Sequence, residues 1–165
     1  KWNGTSWESL GAGVNNWVKA LAVDKDGNVY AGGSFTTAGG IATNGVAKWD
    51  GSNWQAISSE ILASSVTAIT IDKNGVLYVG GDLGRYSGVN TYVGKWDGNS
   101  WLPLQGSGVG YEVSALATDN AGTLYVGGFF NGVIGCSSKY ILANTCDVIS
   151  HFRSSYHDHE RFYFV

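Results

Sequence analysis

The side chains best equipped for chemistry lie in a few separate places. Near the end of the chain, His151, His157, Asp158, His159 and Glu160 offer imidazoles and carboxylates, the groups used for proton transfer or to hold a divalent cation. No histidine precedes His151, so no partnered Ser-His-Asp set can be read from spacing, and a solvated chain end is the simpler reading. Glu60 and Glu112 are the only carboxylates placed to act as a pair, because each leads into an equivalent strand of successive repeats. Two acids facing a channel are what glycoside cleavage requires, so these two are the candidates for a channel-sited glycosidase or lyase. Trp17 is a lone aromatic whose counterparts in the other repeats are Ser65 and Glu112, which marks it as a candidate ligand contact.

Two glycine-rich stretches invite a ligand reading and fail it on spacing. Asp24-Lys25-Asp26-Gly27-Asn28 starts like a calcium loop, but Phe35 stands at the twelfth position, where a bidentate Glu is required. Its sister segments are Asp72-Lys73-Asn74-Gly75 and Asp119-Asn120-Ala121-Gly122, so only Asp and Gly persist, as a tight turn demands. Gly32 to Gly40 is rich in glycine but carries no Gly-Lys-Ser/Thr and opens no helix, so it reads as a connecting loop. No metal site and no cofactor is expected.

These residues are carried by an internal repeat. Trp-x-Gly-x-x-Trp occurs at Trp2 to Trp7, Trp49 to Trp54 and Trp96 to Trp101, a step of 47 each time. Asp-x-x-Gly starting at Asp24, Asp72 and Asp119 leads into Tyr-x-Gly-Gly at Tyr30, Tyr78 and Tyr125, with steps of 48 and 47. Two independent markers on one period define the repeat. Within a unit, residues 66–71 alternate with period two, Lys73-Asn74-Gly75 turns, and Val76 to Val79 returns as an apolar run. Residues 92–96 and 100–104 form a second hairpin around Asp97-Gly98-Asn99, and Pro103, the sole proline, marks its last strand as an edge.

Four antiparallel strands per unit of about 47 residues, without helical periodicity, predict an all-β fold of β-propeller type with four-stranded blades. First strands such as Ala20 to Val23 are expected to line the channel, and the Trp-bearing strands to lie outside. The chain holds three to three and a half blades: an outer hairpin at 1–10, inner hairpins at about 17–35, 65–83 and 112–130, and a degenerate last repeat over 131–165. An open ring leaves an apolar blade face bare, so a homo-oligomer or a fragment of a longer propeller is expected. Composition agrees with short strands and tight turns: 25 glycines, 13% aromatic and only 14% charged residues in 165, with 44% hydrophobic content sufficient for a core. A net charge of -3 gives no footprint for nucleic acid, and no apolar run reaches the roughly 20 residues of a membrane span. With no methionine, the sequence reads as a processed or excised piece.

The tail departs from the pattern. The nearest match to the next Trp-bearing strand is Ile149 to Phe152, 27 residues from Tyr125 to Phe152 against 19 from Tyr30 to Trp49 and 18 from Tyr78 to Trp96. An insertion of eight or nine residues is implied, and Cys136 and Cys146 bracket it. A disulfide closing that loop is the economical reading, worth about 2 to 3 kcal/mol. Two unpaired thiols, or zinc held with His157 and His159, are the alternatives.

The unit Trp-Asp-Gly-x-x-Trp, Leu-Tyr-Val-Gly-Gly-x-Phe and Thr-Ala-Gly-Gly resembles tandem propeller repeats of bacterial secreted or cell-surface proteins. It is also similar to kelch-type repeats and to those of the fungal cortical polarity-marker family, over about residues 1–130. The resemblance implies an extracellular or cell-surface, non-enzymatic scaffold that binds a protein or glycan partner, and it transfers no catalytic residue. A propeller lectin with sugar sites between blades is the rival binding reading, since paired tryptophans can stack on sugars as well as pack blades. Asn3-Gly4-Thr5 fits a glycosylation sequon, but a hairpin turn explains it fully.

Overall fold

The structure is a computed structural model and describes residues 1–57, 63–86, 89–104, 113–128 and 141–143. Those residues form antiparallel sheets of two to four strands, and no helix occurs among them. In the first sheet β1 (Val18–Val23) pairs with β2 (Val29–Gly33). A two-stranded ribbon of β3 (Thr37–Ala38) and β4 (Ile41–Ala42) follows, and β5 (Val46–Trp49) and β6 (Trp54–Ala56) complete the order β1-β2-β5-β6. The second sheet repeats this plan with β7 (Ser65–Ile71), β8 (Leu77–Asp82), the ribbon β9 (Arg85–Tyr86) and β10 (Val89–Asn90), then β11 (Val93–Trp96) and β12 (Trp101–Pro103). Its last strand is an edge, where the missing N–H of Pro103 breaks no ladder. The third sheet comprises β13 (Val113–Thr118), β14 (Leu124–Gly128) and β15 (Ile141–Ala143).

Turn chemistry explains why the strands recur with one register. Asp24 Oδ1 accepts from the backbone N–H groups of Asp26 and Asn28, Asp72 Oδ1 from Asn74 and Val76, and Asp119 Oδ1 from Ala121 and Thr123. Gly27, Gly75 and Gly122 take φ of 82°, 84° and 89° in these turns, a region that penalises a Cβ. Each first strand also carries the same irregularity, with Lys19, Thr67 and Ser114 skipped in the ladder. Such a bulge re-aims the extra side chain. Here it reaches the next sheet: Lys19 Nζ donates to Ser65 Oγ (2.8 Å), and the Thr67 hydroxyl to the carbonyl of Val113.

The three sheets stack face to face in chain order, with β7 between β1 and β13. We call the face toward the preceding sheet the front and the opposite face the back. Ala20, Ala22, Tyr30 and Val46 on the first sheet's back meet Val66, Ile69, Leu77 and Val79 on the second sheet's front. Ala68 and Val93, with Tyr78 beside them, meet Val113, Leu116, Leu124 and Val126 in the same manner. Glycine makes the close approach possible. A Cβ on Gly32 would lie 2.6 Å from both Val66 Cγ1 and Ile69 Cδ1, and one on Gly80 2.5 Å from Val113 Cγ1. The first glycine of the Tyr-x-Gly-Gly marker is therefore a socket for the next sheet's valine.

A third apolar cluster covers the outer half of the first sheet's front, where Leu10 and Val14 pack on Ala31, Phe35, Ala38, Ala47 and Trp54. The sheets close no ring among the described residues. Register also corrects the reading of the tail. Ala143 lies opposite Tyr125, as Lys48 lies opposite Tyr30 and Lys95 opposite Tyr78. The third strand thus follows β14 at the ordinary spacing, and no eight- or nine-residue insertion before Phe152 is needed. Aromatic matching misled because Ile141-Leu142-Ala143 lacks the tryptophan that marks β5 and β11, whereas backbone pairing depends on position. The argument that joined Cys136 to Cys146 loses its inserted loop, and both cysteines lie outside the described residues.

Candidate functional site

A polar cleft of about 590 Å³ opens at one end of the second sheet, where Lys19 of the first sheet reaches it. Lys19 enters from the bulge of β1, Ser65 and Thr67 from β7, Asp82 from the end of β8, and Arg85, Asn90 and Tyr92 from the β9–β10 region. Lys19 is tethered by its bond to Ser65 Oγ, which also lies 3.4 Å from Ser34 Oγ. Arg85 Nε donates to Asn90 Oδ1 (3.1 Å), and Asp82 Oδ1 accepts from the Gly84 N–H (3.2 Å), which fixes the corner leading to the ribbon. Two cations, one carboxylate, hydroxyls and a half-buried Tyr92 therefore share one opening. The set can hydrogen-bond hydroxyl groups in both directions and attract a carboxylate or sulfate. Sequence reasoning missed it. Its signal lies in departures from the repeat, since Lys19 replaces Thr67 and Ser114, Asp82 replaces Ser34, and Arg85 replaces Thr37 at equivalent positions.

Trp17 lies elsewhere. It precedes β1 at the position that Ser65 holds in the second sheet, and it is 76% exposed. Its N–H donates to Asn16 Oδ1 and its carbonyl accepts from Ser34, so the backbone is held while the ring stays open. Glu60 and Glu112 fall outside the described residues, as do the cysteines and the His151 to Glu160 cluster. Among the described residues no group of three or more His, Cys, Asp or Glu side chains could hold a metal.

The tryptophan pairs separate cleanly by environment. Trp49 and Trp54 stand 5.6 Å apart with ring planes at 59°, and Trp2 and Trp7 show the same two values. Trp54 is buried, its Nε1 donating to the Leu10 carbonyl (2.8 Å), and Trp101 is buried too. Their ring faces are occupied by packing, not offered to a sugar. Of the paired rings, only Trp2 and Trp7 stand exposed. In that hairpin Asn3 Oδ1 accepts from the N–H groups of Thr5 and Ser6, and Asn3 Nδ2 donates to Ser6 Oγ and Glu8 Oε1. The amide of the sequon is thus committed to the turn. Asp50 and Asp97 do the same work in the sister hairpins, and their carboxyls are held below the usual aspartate range by those backbone N–H donors.

No family model matches the chain, and no curated protein matches it. Among the described residues no helix is long and apolar enough to cross a membrane.

Proposed function

We propose that the sheets are blades of a β-propeller and that the chain is a non-enzymatic, extracellular or cell-surface binding scaffold. The observation that supports this reading is the repeated seating of one sheet's valine over the preceding sheet's glycine, at Val66 over Gly32 and Val113 over Gly80. Such a sheet finds its cover in the next copy of itself, which is the packing logic of propellers and other repeat arrays. Strands β1, β7 and β13 then line the channel side and the Trp-bearing strands the rim. The likeness to kelch-type and bacterial surface repeats rests on the same markers.

The partner we favour is an acidic glycan bound in the cleft at the end of the second sheet. Lys19 and Arg85 would meet its carboxylate or sulfate, Asp82 and Asn90 its hydroxyls, and Tyr92 an apolar sugar face. Among the described residues this charge set comes together once, which is how a ligand site differs from packing that recurs between successive sheets. A glycan array spanning neutral and acidic sugars tests the reading: binding of acidic sugars that disappears in Arg85→Ala is the expected result. A silent array would discard the glycan and leave a protein partner. Hydrolysis of a bound sugar that stops in Glu60→Gln or Glu112→Gln would instead establish the enzyme reading.

A further inference from the structure

Among the described residues, no sheet packs on the inner half of the first sheet's front, beside the outer half that Leu10 and Val14 cover, and none packs on the third sheet's back. Val18 and Leu21 stand at the positions of Val66 and Ile69. Val18 is 43% exposed where Val66 and Val113 are fully buried, and Leu21 is 62% exposed. Val23, two residues on from Leu21, extends the same bare face, and Trp17 next to Val18 is exposed as well. On the far side, Gly127 holds the socket position of Gly32 and Gly80, since it pairs with Ala115 as they pair with Ala20 and Ala68. Among the described residues only Ala115 comes within 4 Å of a Cβ built there, at 3.5 Å.

We propose that these two faces are made for each other and meet between two copies of the chain, head to tail. Val18 and Leu21 of one copy seat over Gly127 of the other, repeating a contact the chain already makes twice within itself. Size complementarity at the bulge supports this partner. Within the chain the long Lys19 of the first sheet reaches the small Ser65 of the second. At the intermolecular junction the small Ser114 stands at the Lys19 position and the large Trp17 at the Ser65 position, so bulk is exchanged across the contact. Front-to-back contact between two copies covers both bare faces at once if the rotation closes, and otherwise propagates into a longer assembly. The inference uses only the stacking of sheets inside the chain and stands whatever the cleft binds.

Light scattering on the full chain at micromolar concentration should report twice 17.5 kDa or a longer assembly. Gly127→Val and Leu21→Asp should each weaken association by about 30-fold or more, because a filled socket or a charged knob cannot seat. Among the described residues no neighbouring sheet packs on either position, so each variant should keep the parent's circular dichroism spectrum; Trp17→Ala is the milder alternative on the knob side. The decisive step is mixing. Leu21→Asp keeps a good socket and Gly127→Val keeps a good knob, so together they should recover a one-to-one complex that neither forms alone. A parent chain that is monomeric at these concentrations overturns the proposal, whether residues 144–165 or nothing covers the faces. So does a mixture of the two variants that fails to associate.

Discussion

The first and second sheets share strand order, turn residues, bulge and register, yet their front faces meet different surroundings. Ile69 on the second is 8% exposed, and its counterpart Leu21 on the first is 62% exposed. The Trp hairpins repeat the contrast: Trp7 is 80% exposed and Trp54 only 6%, with one ring geometry shared by both pairs. Hairpin shape is therefore written locally, by Asn or Asp accepting two backbone N–H groups and by glycine at positive φ. Burial is supplied by the neighbouring sheet. A repeat protein divides the two roles in this way because each unit forms its own ladder but covers only half of its own apolar surface.

The contrast breaks most visibly on substitution with charge. Ile69→Asp places an unpaired carboxylate between two sheets and should cost about 4 kcal/mol or more, enough to unfold much of the array. Leu21→Asp should stay within about 0.5 kcal/mol, provided both are measured by denaturant unfolding in a Gly127→Val background that does not associate. Equal losses at the two positions would mean that the first sheet's front is covered after all.

The tryptophans come next in size. Trp54→Ala removes a buried indole together with its bond to the Leu10 carbonyl and should cost about 3 to 5 kcal/mol. Trp7→Ala should cost less than about 1 kcal/mol, since it forfeits only the pairing with Trp2. Thermal unfolding of both variants decides whether indole pairing or indole burial stabilises these hairpins.

Glycine sharpens the comparison at the sheet junctions. In Gly80→Ala the new methyl meets Val113 Cγ1 at 2.5 Å, and the third sheet must shift, at a cost of about 1 to 3 kcal/mol. In Gly127→Ala the methyl finds, among the described residues, only Ala115 at van der Waals distance, so the same change should be neutral or slightly stabilising in the unassociated chain. A large loss in Gly127→Ala would reveal a neighbour already seated on the third sheet.

The pairing of the main strands and their turns was legible in the sequence because each depends on local residue types: the Asp-x-x-Gly turns, the period-two runs and the edge marked by Pro103. The short ribbons β3–β4 and β9–β10, which fall where a connecting loop was expected, were not. The purpose of Tyr-x-Gly-Gly was not, since a glycine declares close approach without naming what approaches. Val66 and Val113 lie 34 and 33 residues beyond the glycines they cover, at Gly32 and Gly80. The tail failed for the complementary reason. Matching by aromatic type passed over Ile141-Leu142-Ala143, whose fit to β14 is a matter of backbone spacing. The cleft escaped notice because Lys19, Asp82 and Arg85 are separated in sequence and look ordinary alone; only their departure from equivalent positions in the repeat sets them apart.

The smallest effect separates the three Trp hairpins by acidity. Asp50 and Asp97 carry carboxyls lowered by backbone N–H donors, whereas Asn3 makes the equivalent bonds with a neutral amide. A group whose folded pKa lies below its unfolded value stabilises the fold above the unfolded value and loses that contribution as pH falls through the folded one. The stabilisation from Asp50 and Asp97 is thus complete at neutral pH and fades below the ordinary aspartate value of about 3.9. Asp50→Asn should reproduce the Asn3 turn, keep the hairpin and remove one acid-labile contribution. The melting temperature of that variant should fall less steeply than the parent's between about pH 5 and pH 2, with little difference at pH 7. Asn3→Asp should do the reverse and add a pH-dependent turn beside Glu8, whose carboxyl is already held below its usual value by Asn3 Nδ2 and Lys1 and would then face a second carboxylate. Parallel pH profiles for the parent and Asp50→Asn would show that the turn, and not the charge it carries, holds the second and third hairpins together.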